Sequence, residues 1–433
     1  MNVTVVALGK IGLPLAVQYA RSGMRVVGAD IDPATVDQIA SGIVPFPGEA
    51  HLDVHLPEVL RSGHLTVTTD TTTAVAEADV VVVVVPLVVD ADRRPDFAAL
   101  DAATAAIGAG IRAGALVIYE TTLPVGTTRN RFAPALASRS GLELGTELFV
   151  AFSPERVYSG RIFADLRSYP KLVGGIDAAS GRRAVAFYER ALQFDERPDL
   201  AATGTPNGVW DLGSAEASEL AKLAETTYRD VNIAFANELA KFADAIGIDV
   251  LQVIDACNTQ SFSHIHRPGI AVGGHCIPVY PYFYLDGDPE ARLPRVAREV
   301  NDSMPEHAMA LLEDELGGLA GTHIAVLGAA YRGGVKETAF SGVFGAVAAL
   351  ERRGATVAVH DPLFTDDELR ALGFTPYHFG DPADGAVVQA DHDQYRRLDA
   401  AMLGGARVVL DGRRCVMSAD GLRVVAIGGG TAG

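Results

Sequence analysis

Residues 3–30 read VTVVALGKIGLPLAVQYARSGMRVVGAD. Val3–Leu8 is an apolar, β-prone run, Leu13–Arg21 carries its apolar side chains at helical spacing, and Arg25–Ala29 is a second apolar run. Strand, helix and strand in so short a stretch predict a βαβ unit. Strands apolar at every position are buried on both faces, as they are when crossover helices cover a parallel sheet. The texture continues at Val80–Val85, Leu116–Tyr119, Leu148–Phe152 and Leu172–Val173, separated by Ala-rich helical segments, so a parallel, doubly wound sheet is expected.

Between the first strand and its helix stands Ala7-Leu8-Gly9-Lys10-Ile11-Gly12, a G-x-G-x-x-G pattern with Ala in its first place. The two remaining glycines fall where backbone approaches a pyrophosphate and where helix packs on strand. Asp30 closes the second strand, where a carboxylate accepts hydrogen bonds from an adenosine ribose and repels a 2′-phosphate. NAD is therefore the expected cofactor, held by Gly9, Lys10, Ile11, Gly12 and Asp30, with Pro86 and Thr122 beside it. A degenerate Rossmann domain that binds nothing is the alternative.

From Ala215 the pattern becomes one long helix, free of Gly and Pro as far as Ile246, with Ser214 as its cap and Gly247 as its stop. A Gly- and Pro-rich segment at 268–281 follows, and then more helix to about residue 320. A second βαβ signature opens at Ile324–Leu327, with helix Val343–Arg353, strand Val357–Val359, and later strands Ala386–Gln389 and Val408–Leu410. The expected fold is α/β: two Rossmann-like doubly wound domains joined by a long central helix and a small helical domain. The boundaries are placed at 1–205, 206–320 and 321–433. Residues 428–433 are expected to fray.

The 433 residues carry a formal charge of −18, which excludes a nucleic-acid or anionic-membrane partner recognised by a whole basic face. No apolar run reaches the roughly 20 residues that span a bilayer. Three cysteines, at 257, 276 and 415, are too few for a disulfide framework, and a reduced, cytoplasmic setting is expected. His264, His266 and His275 have no recognisable ligand spacing, so no metal is expected. Arg413 and Arg414 read as a solvated loop.

The segment 268–281, PGIAVGGHCIPVYP, sets Cys276 behind two glycines, at a turn where a thiol can act as a nucleophile. A buried structural cysteine is the plainer reading of this string alone. Three other strings stand in register with it: Glu120-Thr121-Thr122-Leu123-Pro124-Val125-Gly126-Thr127-Thr128; Phe152-Ser153-Pro154-Glu155-Arg156-Val157 with Gly160; and the helix bearing Glu219-Leu220-Ala221-Lys222 and Arg229-Asp230-Val231-Asn232. Together the four resemble the UDP-glucose/GDP-mannose 6-dehydrogenase family over nearly the whole chain, above all its UDP-N-acetylhexosamine dehydrogenase branch. Lysine occurs only five times, which sharpens the match at Lys222.

The resemblance implies an NAD-dependent enzyme that oxidises C6 of a UDP-sugar in two hydride steps through a Cys276 thiohemiacetal and thioester. It implies Lys222 as the lysine assisting oxidation, Thr122 and Glu155 as groups positioning water and substrate, and Glu155 as the candidate base. Arg156, Val157, Gly273 and Gly274 join them at the substrate, and Tyr331 and Arg332 fall where the family has an aromatic residue and a lysine near the nucleotide. It also implies a homodimer through the central helix. Four positions depart from the pattern. Thr226 replaces an Asn one helical turn after Lys222, and Tyr280 replaces an Asp, putting a phenol where the family has an anion. An arginine expected before the cysteine is missing, with His264, His266 and Arg267 as possible substitutes. Glu337-Thr338-Ala339 replaces Asp-Thr-Arg. These changes keep two alternatives open: a two-electron oxidation of a nucleotide-sugar alcohol, and a non-catalytic nucleotide-sugar binding protein.

Overall fold

A computed structural model describes residues 1–158, 160–201 and 204–430. It divides into two compact units, Met1–Ala224 with Tyr282–Gly287, and Glu225–Pro281 with Asp288–Gly433.

The first unit is built on an eight-stranded sheet. From one edge to the other its strands are Val209–Asp211, Lys171–Gly175, Phe149–Phe152, Leu116–Tyr119, Val80–Val83, Asn2–Val6, Arg25–Ala29 and Leu65–Thr68. Pairing is parallel except between Phe149–Phe152 and Lys171–Gly175, where Phe152 stands opposite Gly174. That pair corrects the all-parallel expectation. Among the described residues the one helix between these two strands is the short Ile162–Ser168, too little for the crossover a parallel neighbour needs. Val5, Val82 and Ile118 stand opposite one another in register, and so share one face of the sheet, where Tyr19 and Phe187 belong to the same core.

The second unit carries a five-stranded, wholly parallel sheet in the order Thr356–His360, His323–Leu327, Gly385–Val388, Val408–Asp411, Arg423–Ala426. Its first strand lies between the second and third, so the strand order reverses there and loops diverge at the carboxyl ends. The helix Ala215–Ile246 has the expected bounds. Ser214 Oγ accepts from Ala217 N at 3.2 Å, and Gly247, with φ of 73°, ends it. The expected fraying does not extend to Gly428, whose carbonyl accepts from Val250 N at 2.8 Å and whose Cα packs too closely on Val250 to admit a Cβ. Residues 431–433 lie outside the described set. Among the described residues no helix is long and apolar enough to cross a membrane.

Candidate active site

At the first strand's end the glycine pattern adopts the geometry its spacing implies. A Cβ on Gly12 would lie 1.9 Å from the Ala7 carbonyl oxygen, so glycine there is obligatory for helix Gly12–Arg21 to pack on the strand. Gly9 is different: a Cβ there meets nothing in the chain, so its own fold does not demand glycine, whereas a ligand lying against the backbone would. Ala7 holds φ at 74°, a left-handed conformation that costs a non-glycine residue about 1–2 kcal/mol. Asp30 contributes to that cost's recovery by accepting from Leu8 N at 2.7 Å and Asp32 N at 3.0 Å. It therefore shapes the loop. Ile11 at the helix cap makes no side-chain cap; in the first turn Leu13 N donates to Gly9 O at 3.1 Å and Pro14 carries no N–H. Lys10 and Pro86 are exposed beside this loop, and Ile11 is half-buried. These residues fit a dinucleotide.

Thr122 and Glu155 follow adjacent strands, Leu116–Tyr119 and Phe149–Phe152, and so share the sheet's carboxyl edge. Thr122 is buried. Glu155 is one of two carboxylates gathered around Lys171, whose Nζ lies 2.7 Å from Glu120 Oε2 and 2.9 Å from Glu155 Oε2. Glu120 Oε1 also accepts from Tyr19 at 3.0 Å and Tyr188 at 2.6 Å. Glu155 Oε1 accepts from Arg156 N at 2.7 Å and Val157 N at 3.2 Å. Burial pushes both carboxyls up. At Glu155 the Lys171 ammonium and the backbone N–H groups outweigh burial and hold the carboxyl below the usual range, whereas Glu120 stays above it. Arg156 turns its guanidinium to the Pro170 carbonyl at 3.3 Å and towards the Tyr169 ring, and Val157 packs on the first unit's core.

Glu219, in the helix string but given no role by sequence, anchors the loop after Thr122. It accepts from Gly126 N at 2.5 Å and from Thr128 N and Oγ1 at 2.9 and 2.6 Å. Burial raises its carboxyl to about 7. Lys222, one turn further, is buried, and Thr226 is buried four residues beyond it, on the same helix face.

In the second unit the glycines before Cys276 are explained by Tyr331. A Cβ on Gly273 would lie 2.6 Å from Tyr331 Cβ, and one on Gly274, where φ is 92°, 3.2 Å from the ring. Gly274 N donates to Ala339 O at 2.9 Å, and His275 reaches Glu337 at 3.4 Å. Gly273, Gly274, Tyr331 and Arg332, whose Nε donates to the Tyr331 hydroxyl at 3.2 Å, are thus one cluster. Cys276 is exposed, and its carbonyl accepts from Tyr280 N at 2.9 Å, so it stands just ahead of helix Tyr280–Gly287.

Arg413 corrects the sequence reading. Far from lying in a solvated loop, its half-buried guanidinium donates to the carbonyls of Gln389 at 2.6 Å, Tyr331 at 2.8 Å and Ala271 at 3.4 Å. It pins the Cys276 loop to the Tyr331 loop. Arg414 is also engaged, to Asp249 at 2.7 Å. Nothing local marks either role, because every partner comes from a distant segment. At the same carboxyl edge, Asp361 accepts from Ala329 N and Ala330 N at 2.8 and 2.9 Å, repeating what Asp30 does in the first unit. Beside it a cleft of about 460 Å³ is lined by Gly333, Gly334, Pro362, Asp391, His392 and Arg396.

The stretch ahead of Cys276 is held by asparagines. Asn232 bonds His264 O and His266 N, Asn258 bonds both backbone groups of Ile265, and Asn237 accepts from Gly269 N. His266 packs edge-on against Tyr228, and Arg267 pairs with Asp255 at 2.5 Å. Among the described residues no group of three His, Cys, Asp or Glu side chains is placed to hold a metal ion.

Three family models cover this arrangement in order. They are the NAD binding domain of the UDP-glucose/GDP-mannose dehydrogenase family at 1–192, its central domain at 216–303 and its UDP binding domain at 325–418. The chain belongs to the UDP-glucose/GDP-mannose dehydrogenase family. It is an oxidoreductase with NAD as cofactor. The chain is 34% identical over 426 residues to the UDP-N-acetyl-D-mannosamine dehydrogenase of Pyrococcus horikoshii, covering 96% of each chain. It is 32% identical over 425 residues to an NDP-N-acetyl-D-galactosaminuronic acid dehydrogenase of Ralstonia solanacearum, covering 95% of each. The solved UDP-D-ManNAc dehydrogenase of Pyrococcus horikoshii superposes with a TM-score of 0.87 at 32% identity over 99% of both chains. The UDP-N-acetyl-mannosamine dehydrogenase of Staphylococcus aureus gives 0.84 at 28%, over 99% of this chain and 98% of that one.

Proposed function

We propose that this dehydrogenase oxidises the C6 hydroxymethyl group of a UDP-N-acetylhexosamine to the carboxylate, with Cys276 as covalent nucleophile. The observation that carries the reading is the exposed Cys276 thiol, on a loop whose glycines are clamped to Tyr331 and whose backbone is fixed by Arg413. Residues 1–205 would hold NAD, 206–320 present the thiol, and 321–433 hold the UDP group near Tyr331 and Arg332. When bound, NAD supplies the hydride acceptor for both oxidation steps.

The chain's own groups have separable tasks. Lys222 stabilises the developing alkoxide as the C6 alcohol is oxidised to the aldehyde. The Cys276 sulfur bonds to the aldehyde carbon, giving a thiohemiacetal whose oxidation leaves a thioester. Thr122 and Glu155 orient the water that cleaves the carbon–sulfur bond, releasing the thiol and the carboxylate. Thr226 and Tyr280 supply hydroxyls to substrate or water where the family has Asn and Asp. The acetamido-sugar preference rests on the relatives above, whose names specify N-acetylated sugars.

Tyr228, Phe235 and Phe242 form an exposed stripe at seven-residue spacing along the central helix, with Ile246 continuing it. Such a stripe suits an isologous contact with a second copy, a homodimer through the helix. The 264–267 segment is tied to this face through Asn232 and Tyr228, which would place His266 and Arg267 where a missing arginine acted across the dimer. The three unpaired cysteines suit a reducing cytoplasm.

The test is NADH formed per sugar consumed, over a panel of UDP- and GDP-sugars, for wild type and Cys276→Ala. Two NADH per UDP-N-acetylhexosamine, with no carboxylate from the variant, are expected. One NADH per sugar, unchanged by loss of the thiol, would overturn the covalent reading.

A further inference from the structure

Lys171 belongs to none of the four strings, yet it is the centre of the most buried ionic group in the first unit. Its side chain is 5% exposed and its partners Glu120 and Glu155 are 0% and 10% exposed. It opens the strand that runs antiparallel to Phe149–Phe152. Because Gly174 lies opposite Phe152, the same register carried two or three residues further brings Lys171 alongside Glu155. The groups facing Glu155 come from every packed element: Glu120 after strand Leu116–Tyr119, Lys171, Tyr19 on helix Gly12–Arg21, Tyr188 on helix Ala178–Ala191, and Asp165 on helix Ile162–Ser168, which caps Tyr158 N at 2.9 Å.

A carboxylate offers about four lone-pair directions. Glu155 Oε1 uses two on Arg156 N and Val157 N, and Oε2 uses one on Lys171 Nζ. The Glu120 carboxyl is also hydrogen-bonded to Glu155, so the carboxylate is held on every side. We infer that Lys171 is a positioning residue for the oxidation. Its ammonium bridges Glu120 and Glu155 and, with the backbone N–H groups of Arg156 and Val157, fixes the Glu155 carboxylate at the carboxyl edge of the sheet. Two carboxylates share one ammonium, and the neighbouring hydroxyls of Tyr19 and Tyr188 donate to Glu120. Burial favours one proton in the group, and Lys171 together with the backbone amides directs it to Glu120 rather than to Glu155.

This assignment rests on the function proposed above, so wild-type stoichiometry is measured first. One NADH per sugar from wild type would sink that function and leave Lys171 without a role in it. With two NADH per sugar established, kcat is followed against pH for wild type, Lys171→Met, Lys171→Gln, Lys171→Arg and Glu120→Gln. Loss of the ammonium from Lys171→Met should move the acid limb of kcat up by about 1–3 pH units. KM for the UDP-sugar should change little, and Lys171→Arg should restore the limb. Glu120→Gln, an uncharged mimic of the protonated Glu120, should leave the limb in place; Lys171→Gln, which keeps a donor without the charge, should move it up and decides the matter should Lys171→Met fail to fold. A limb unmoved in Lys171→Met or Lys171→Gln, or moved down in Glu120→Gln, would overturn the inference.

Discussion

Glu219→Gln tests the electrostatics of the loop that follows Thr122. The Glu219 carboxyl is fully buried against Gly126 and Thr128, and burial lifts it from 4.5 to about 7. The folded chain therefore holds a proton that the unfolded chain releases between those values. The stabilisation this gives is complete below pH 4.5 and is lost as pH rises through 7. The shift corresponds to about 3 kcal/mol across that window. For a unit of this size it amounts to roughly 6–12 °C in Tm. Glutamine cannot ionise, so the variant lacks this dependence. Its amide, placed against a backbone N–H, adds an offset that does not vary with pH. Trp210 is the only tryptophan and lies in the first unit, so its fluorescence reports on the transition that matters. The wild-type Tm minus the variant Tm, measured from pH 4.5 to 8, should fall by the stated amount. Parallel curves would refute the reasoning.

Arg413→Leu strands the carbonyls of Ala271, Tyr331 and Gln389, and each unpaired buried group costs about 1–3 kcal/mol. UDP affinity by calorimetry should drop by at least about tenfold while NAD affinity stays unchanged; an equal loss of both would show general unfolding instead. Phe242→Asp puts a charge on the exposed aromatic stripe, and sedimentation should show a monomer where wild type is a dimer. A monomeric wild type would refute the proposed interface.

The N-terminal βαβ unit was legible because its information is local: apolar periodicity fixes strand and helix, and glycine spacing fixes the loop between them. The long helix could be placed for the same reason, since Ser214 and Gly247 mark its ends chemically. Short edge strands escaped this reading. Leu65–Thr68, Val209–Asp211 and Arg423–Ala426 each have few residues and a neighbour on one side only, so little apolar periodicity marks them.

Sequence order and residue type by themselves determined the family, the cofactor and the loop that carries the thiol. Tertiary structure alone decided the environment of those groups. Arg413 looks like a surface arginine until three segments bring their carbonyls to it, and Lys171 looks like the start of a strand until an antiparallel pairing sets it between two carboxylates. Glu155 was a candidate base by position, but whether it is charged depends on burial and on an ammonium sixteen residues away, set by strand register rather than by neighbours in the chain. Spacing along the chain encodes local geometry; solvation and charge at a point are sums over every segment that folding brings there.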